Sequence, residues 1–167
     1  MKAEIDFKKN YIAWLNENIE QCQIKDGVYR ITLPFLDRNN DYIEIYITSE
    51  DNGTYRLTDD GETLGELLFS GLDIFKSKRR TDIFNSIIAS HGINRSECNE
   101  LFTTCTKHDL PQKKHMLSQC MVKVSDLFYT VRQNVQSLFI EDVQQYLDTN
   151  EIRYMPSISF VDRKSVV

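Results

Sequence analysis

The stretch Pro34–Leu67, PFLDRNNDYIEIYITSEDNGTYRLTDDGETLGEL, decides the architecture. Within it Ile43, Ile45 and Ile47 alternate with Tyr42, Glu44 and Tyr46. A period of two gives one apolar and one polar face, so Tyr42–Thr48 reads as a half-buried strand. Asp51-Asn52-Gly53 follows, and Asn and Gly tolerate the positive φ that a tight hairpin demands. Thr54–Thr58 is then the returning strand. Asp59-Asp60-Gly61 stops it. Leu64, Leu67 and Leu68 recur at helical spacing, so a helix is expected from Glu62 or Thr63, with Asp60 as its N-cap.

Upstream, Gly27–Phe35 alternates as well: Tyr29, Ile31, Leu33 and Phe35 point one way, Val28, Arg30 and Thr32 the other. Pro34 cannot donate to a ladder, so this strand ends there or lies at an edge. The three strands make an antiparallel meander. Before them, Ile5–Gln23 reads as a helix, because Ile12, Leu15, Ile19 and Cys22 recur every three or four residues.

Downstream, Gly71 interrupts the first packed helix. A second runs over Lys78–Ser90 with Phe84 and Ile87 apolar, and Gly92 ends it. Leu101–Thr106 has strand-forming residues. His108–Pro111 marks a boundary, since a proline biases the residue before it away from helix. Gln112–Asn134 carries one apolar stripe, Leu117, Cys120, Met121, Val124, Phe128 and Val131. A further helix is expected over Leu138–Thr149 and a short strand over Ile152–Val161. The fold class expected is α+β: an N-terminal helix, an antiparallel sheet of three to four strands with two packed helices, then a C-terminal helical pair. The division expected is an α+β domain over 1–108 and a helical extension over 109–167.

The composition fits a globular chain of 167 residues, 41% hydrophobic and 27% charged. Its 20 Lys and Arg face 25 Asp and Glu, a net charge of -5. Sequence-independent nucleic-acid binding needs a basic excess, so direct binding to DNA or RNA is not expected. An acidic surface suits a basic partner instead, including one that itself binds nucleic acid. No apolar run has transmembrane length and the start is charged, so the expected location is the cytoplasm, with no membrane association. Cys22, Cys98, Cys105 and Cys120 lack a disulfide-framework spacing and are expected to be reduced there.

Four groups of residues bear chemistry. Asp37, Asp41, Asp59 and Asp60 sit at strand ends, where clustered carboxylates hold a hard cation or do acid–base work. Asp is also a standard turn and cap residue, and that role is the one expected. Cys105 and His108 have a zinc-like short spacing, but His115 and Cys120 do not complete a second tight pair. No metal or other cofactor is therefore expected. The basic run Lys76, Lys78, Arg79 and Arg80 opens a helix, a poor match to the helix dipole, and so is a candidate for binding an anion or an acidic partner. Leu117, Met121, Val124 and Phe128 form a stripe that either packs inside the chain or meets a second copy or another protein. The P-loop, G-x-G-x-x-G, G-x-S-x-G and H-E-x-x-H patterns are absent. Glu44-Ile45-Tyr46 places tyrosine where a PD-(D/E)xK nuclease wants lysine.

The pattern Pro34-Phe35-Leu36-Asp37-Arg38-x-x-Asp41-Tyr42-Ile43-x-Ile45-Tyr46, then Tyr55-x-Leu57-Thr58-Asp59-Asp60-Gly61-x-Thr63, resembles the bacterial and phage domain of unknown function 1828. His91-Gly92-Ile93 fits the same domain, and the resemblance spans about residues 10–106. Ser157–Val161 resembles the opening of the next domain in that numbering, 1829, which is expected here only as a truncated start. The resemblance implies no reaction and no catalytic residues. Its distribution implies biology of mobile elements or defence.

The functional expectation is a non-enzymatic protein-binding module, of the kind by which a phage or prophage inhibits a nucleic-acid-binding defence effector such as a CRISPR nuclease. The alternatives are a metal-dependent hydrolase or nuclease using the four aspartates, and a dimeric scaffold built on the Gln112–Asn134 helix.

Overall fold

Ile43, Ile45 and Ile47 are buried on one face of the strand Tyr42–Ser49, the third in an antiparallel sheet of six. The computed structural model describes residues 5–50, 52–130, 143, 144, 146–150 and 152. In chain order these residues form α1 (Phe7–Asn18), β1 (Glu20–Lys25), β2 (Val28–Leu36), β3 (Tyr42–Ser49), β4 (Tyr55–Thr58), α2 (Glu62–Phe69), a 3-10 turn at Ile74–Lys76, α3 (Lys78–His91), β5 (Asn94–Arg95), β6 (Leu101–Cys105), α4 (Leu110–Ser125) and a second 3-10 stretch, Asp126–Thr130. The class is α+β. The sheet order is β1-β2-β3-β4-β6-β5.

The inner face of the sheet carries Ile31, Leu33, the three isoleucines of β3, Leu57, Leu101 and Cys105, all buried. Against it packs α4 with Leu117, Cys120, Met121 and Val124, and α2 and α3 pack in turn against α4, burying Leu64 and Leu67 of α2 and Phe84 of α3. Each fully buried leucine or isoleucine contributes roughly 1.5–3 kcal/mol, so this layer is the main source of stability. The outer face bears polar residues at the alternate positions. Glu44 accepts from Thr32 Oγ1 at 3.2 Å and from Tyr46 Oη at 3.3 Å, and lies 3.5 Å from Arg30 Nε. Arg56 pairs with Glu100 at 2.6 Å and stacks over Phe102 at 3.8 Å.

The sheet has two strands more than the upper expectation of four. α1 stops at Asn18, and Glu20–Lys25 forms β1 rather than a last helical turn. Asp26-Gly27 joins it to β2, with Lys25 opposite Val28. Asp-Gly between two strand-forming runs is a hairpin signal, and the ladder it closes outweighs the helical spacing of Ile19 and Cys22. All six residues of β1 are exposed, so that spacing did not mark a core face. β5, two residues at the far edge against β6, carries no sequence pattern long enough to read.

Two compact units are present, one reaching Phe128 and one starting at Tyr129. α4 belongs to the first, so the division expected at 108/109 falls inside that unit. The helix expected to reach Asn134 ends at Ser125. In the second unit, residues 143, 144 and 146–149 are helical. The remainder of the Leu138–Thr149 helix and the strand expected over Ile152–Val161, apart from Ile152, lie outside the described residues. Among the described residues no helix is long and apolar enough to cross a membrane.

Candidate functional site

Where β4 hands over to α2, the carboxylate of Asp59 is fully buried. Its Oδ1 accepts the N–H of Gly61 at 2.9 Å and of Leu101 at 2.7 Å, and its Oδ2 accepts the N–H of Thr63 at 3.1 Å. Burial pushes this carboxyl above the usual range, and the hydrogen bonds from Thr63, Gly61 and Leu101 oppose the rise. Gly61 is the residue before the helix, at φ +82°, where an L side chain is strained. Asp60, expected as the N-cap, is exposed at φ +56°. Asp59 performs that task from one residue earlier, because the left-handed pair Asp60-Gly61 turns the chain back over it.

Asp37 organises the turn between β2 and β3. Its Oδ1 accepts the N–H of Asn39 at 2.7 Å and of Asp41 at 3.0 Å. Asn39 Nδ2 reaches Glu66 Oε2 at 3.3 Å, and Arg38 Nη2 donates to Glu66 O at 3.2 Å and Ser70 Oγ at 2.5 Å. The turn is thus braced on α2, and Arg38 caps the carbonyl end of that helix, where a cation suits the dipole. Its guanidinium also lies 4.4 Å over the Phe128 ring.

Between turn and helix opens a small cleft of about 60 Å³, lined by Asp37, Asp41, Glu62 and Glu66, with Ile43 and Met121 also in its wall. Glu62 is raised above its ordinary value by partial desolvation first, then by Glu44, Asp59, Glu66 and Asp37. Such crowding of carboxylates is relieved by protonation or by a cation. The cleft brings together two of the four expected aspartates. Asp59 is consumed by backbone amides and Asp60 faces solvent. Among the described residues no three His, Cys, Asp or Glu side chains group as a metal site.

Cys105 and Cys120 are buried, and burial pushes both thiols up, Cys120 to about 12. A zinc ligand must be a thiolate, which this environment opposes. His108 and His115 are exposed, and His115 lies 3.1 Å from Gln119 Nε2. Lys76, Lys78 and Arg79 are exposed at the start of α3, whose first turn has no acidic residue and whose N-cap is Ser77. Lys76 lies 3.7 Å from Asp73, and Arg80 is half-buried. Leu117, Met121 and Val124, for which packing inside the chain and meeting a partner were both open, are buried inside the chain, and Phe128 is half-buried beneath Arg38. This stripe packs intramolecularly because α4 lies across β3, β4 and β6.

The Asp37 turn, the Asp59 handover and the elements from β3 to β6 all lie within the segment that the model for Domain of unknown function DUF1828 matches, residues 33–124. The chain belongs to this family. Comparison with curated proteins and with solved structures found no match. In this DUF1828 member, His91-Gly92-Ile93 closes α3. Gly92 takes φ +62° and the N–H of Ile93 bonds to Ile88 O at 2.9 Å, a Schellman-type ending. The His91 ring is buried, with Nδ1 donating to Ile87 O at 2.8 Å, which leaves Nε2 to accept from Lys123 Nζ at 3.2 Å. Glu62 and Glu66 were missed as cleft residues from sequence. The signal was present, two glutamates one helical turn apart directly after an Asp-Asp-Gly stop.

Proposed function

We propose that this DUF1828 protein is a non-enzymatic binding module whose acidic cleft receives a cationic side chain of another protein. The observation that carries this reading is the crowding of Asp37, Asp41, Glu62 and Glu66 around one small opening, with Glu62 raised by partial desolvation and then by its acidic neighbours. A guanidinium or ammonium entering there relieves repulsion within the chain as well as adding its own pairing. The net charge of -5 favours encounter with a basic partner.

In its sharpest form the module is cytoplasmic, of phage or prophage origin, and blocks a nucleic-acid-binding bacterial defence effector. Its C-terminal residues then open a domain of unknown function 1829. The engagement of Asp37 and Asp59 by backbone amides supports binding over hydrolysis. The test is a pull-down against host nucleases, wild type beside Glu62→Gln/Glu66→Gln, followed by cleavage assays on whatever is captured. Capture and inhibition by wild type, both lost in the variant, are expected. Capture of no nuclease, or equal inhibition by the variant, overturns the reading.

A further inference from the structure

Across α2 from the acidic cleft lies a second depression of opposite character. Leu64, Leu68 and Leu72 form one wall, and Ile74 and Phe75 of the 3-10 turn form the other. Its volume is about 130 Å³. That is too small for a cofactor or drug-sized ligand, which needs roughly 300 Å³ or more. It is close to the ~150 Å³ apolar cavity that accepts one benzene ring, so it suits a single leucine or phenylalanine side chain.

Part of this surface is apolar and open to water. Leu68 is 57% exposed, the neighbouring Phe69 91% and Phe75 39%. Phe75 is nonetheless fixed in place. Its ring meets the buried Phe84 edge-on at 5.6 Å, and the Arg95 guanidinium lies 4.2 Å from its centre. A rigid aromatic at the lip of a small pocket is the anchor arrangement of peptide-binding surfaces.

The surroundings are basic in a chain that is acidic as a whole. Lys76, Lys78, Arg79 and Arg80 follow Phe75 within five residues, and Arg95 covers its ring. Asp73 is the one acidic lining residue, and its carboxylate is used by Phe75 N at 3.0 Å and Lys76 at 3.7 Å. The cations at the start of α3 oppose its dipole, and Ser77 is the residue that caps it.

We propose that this groove docks an acidic segment of another protein. One leucine- or phenylalanine-sized side chain seats between Leu68 and Phe75, and flanking carboxylates pair with Lys78, Arg79 and Arg95. The concave pocket favours a peptide over a flat lipid surface. This site does not depend on the acidic cleft. α2 stands between the two, with Glu62 and Glu66 on one side and Leu64 and Leu68 on the other.

The experiment is an NMR titration of the ¹⁵N-labelled full chain with a synthetic peptide carrying two leucines one helical turn apart among Asp and Glu. The control peptide has the same leucines among Lys. Shifts confined to Leu64–Arg79 and Arg95 are expected with the acidic peptide alone. Lys78→Glu/Arg79→Glu, both at exposed positions, should weaken that binding by about tenfold or more. Leu68→Ser should weaken it with the charges intact, and Glu62→Gln/Glu66→Gln should leave it unchanged. Equal response to the Lys peptide, indifference to Lys78→Glu/Arg79→Glu, or no response to the acidic peptide overturns the proposal. If the chain instead sediments with phosphatidylserine vesicles and ignores the peptide, the patch is a lipid surface and the proposal also falls.

Discussion

The carboxylate of Asp59 accepts the amide of Leu101 at 2.7 Å, which ties the end of β4 to the start of β6. The same side chain holds the first turn of α2 through Gly61 and Thr63. Asp59→Asn replaces one acceptor oxygen by an NH₂ group, which then faces a backbone N–H without a partner. A buried donor left unsatisfied costs about 1–3 kcal/mol. Urea unfolding followed by circular dichroism should show that loss. Asp60→Asn, at an exposed side chain, should stay within about 0.5 kcal/mol of wild type. Equal effects of the two substitutions contradict the assignment of Asp59 as the hub.

Glu62 sets a pH dependence. Its folded pKa lies above the ordinary 4.5, so the native state binds that proton more tightly than the unfolded chain does. This contribution is fully present below pH 4.5 and is lost as pH rises through the folded value. Glu62→Gln lacks the titration. Its stability relative to wild type should therefore rise as pH goes from 4.5 to neutral, and the rise should shrink in high salt. Urea midpoints across that range measure it, and a flat or falling difference speaks against crowding at the cleft.

Leu117 is fully buried on α4. Leu117→Ala should cost about 2–5 kcal/mol, the usual range for opening a cavity in a packed core. Light scattering should report the same molecular mass for both proteins. A stripe used as a subunit interface gives the reverse pattern, a shift in mass at little cost to the fold.

The thiols divide by burial. Cys22 and Cys98 are exposed, Cys105 and Cys120 buried, and Cys120 is held at about 12. Ellman's reagent should titrate two thiols in the native protein and four in denaturant. Added zinc should leave the slow pair slow and the unfolding midpoint unchanged. Zinc-dependent stabilisation revives Cys105, His108, His115 and Cys120 as ligands.

Local alternation was enough to read β2 and β3, because each has buried residues at alternate positions, and the Asn52-Gly53 turn placed β4, whose adjacent Leu57 and Thr58 are both buried. Gly92 and the Leu64–Leu67 spacing placed the ends and faces of α2 and α3 for the same reason. β1 was hidden because an exposed edge strand has no buried face to impose a period, so Ile19 and Cys22 mimicked a helix. The aspartates were legible as turn residues, yet which one caps α2 depends on the left-handed backbone at Asp60 and Gly61. The cleft needs Asp37 and Glu66 to meet across a fold that pairs residues far apart in sequence. Spacing along the chain carries no trace of that meeting.

The central claim is that the protein binds and blocks a basic partner through the cleft. Its most direct test is a cleavage assay on a nucleic-acid substrate with a captured host nuclease, adding wild-type protein or Glu62→Gln/Glu66→Gln. The account predicts that wild type suppresses cleavage, that the double variant does not, and that neither cleaves the substrate alone with Mg²⁺. Cleavage by the wild-type protein itself, lost in Asp37→Asn, contradicts it.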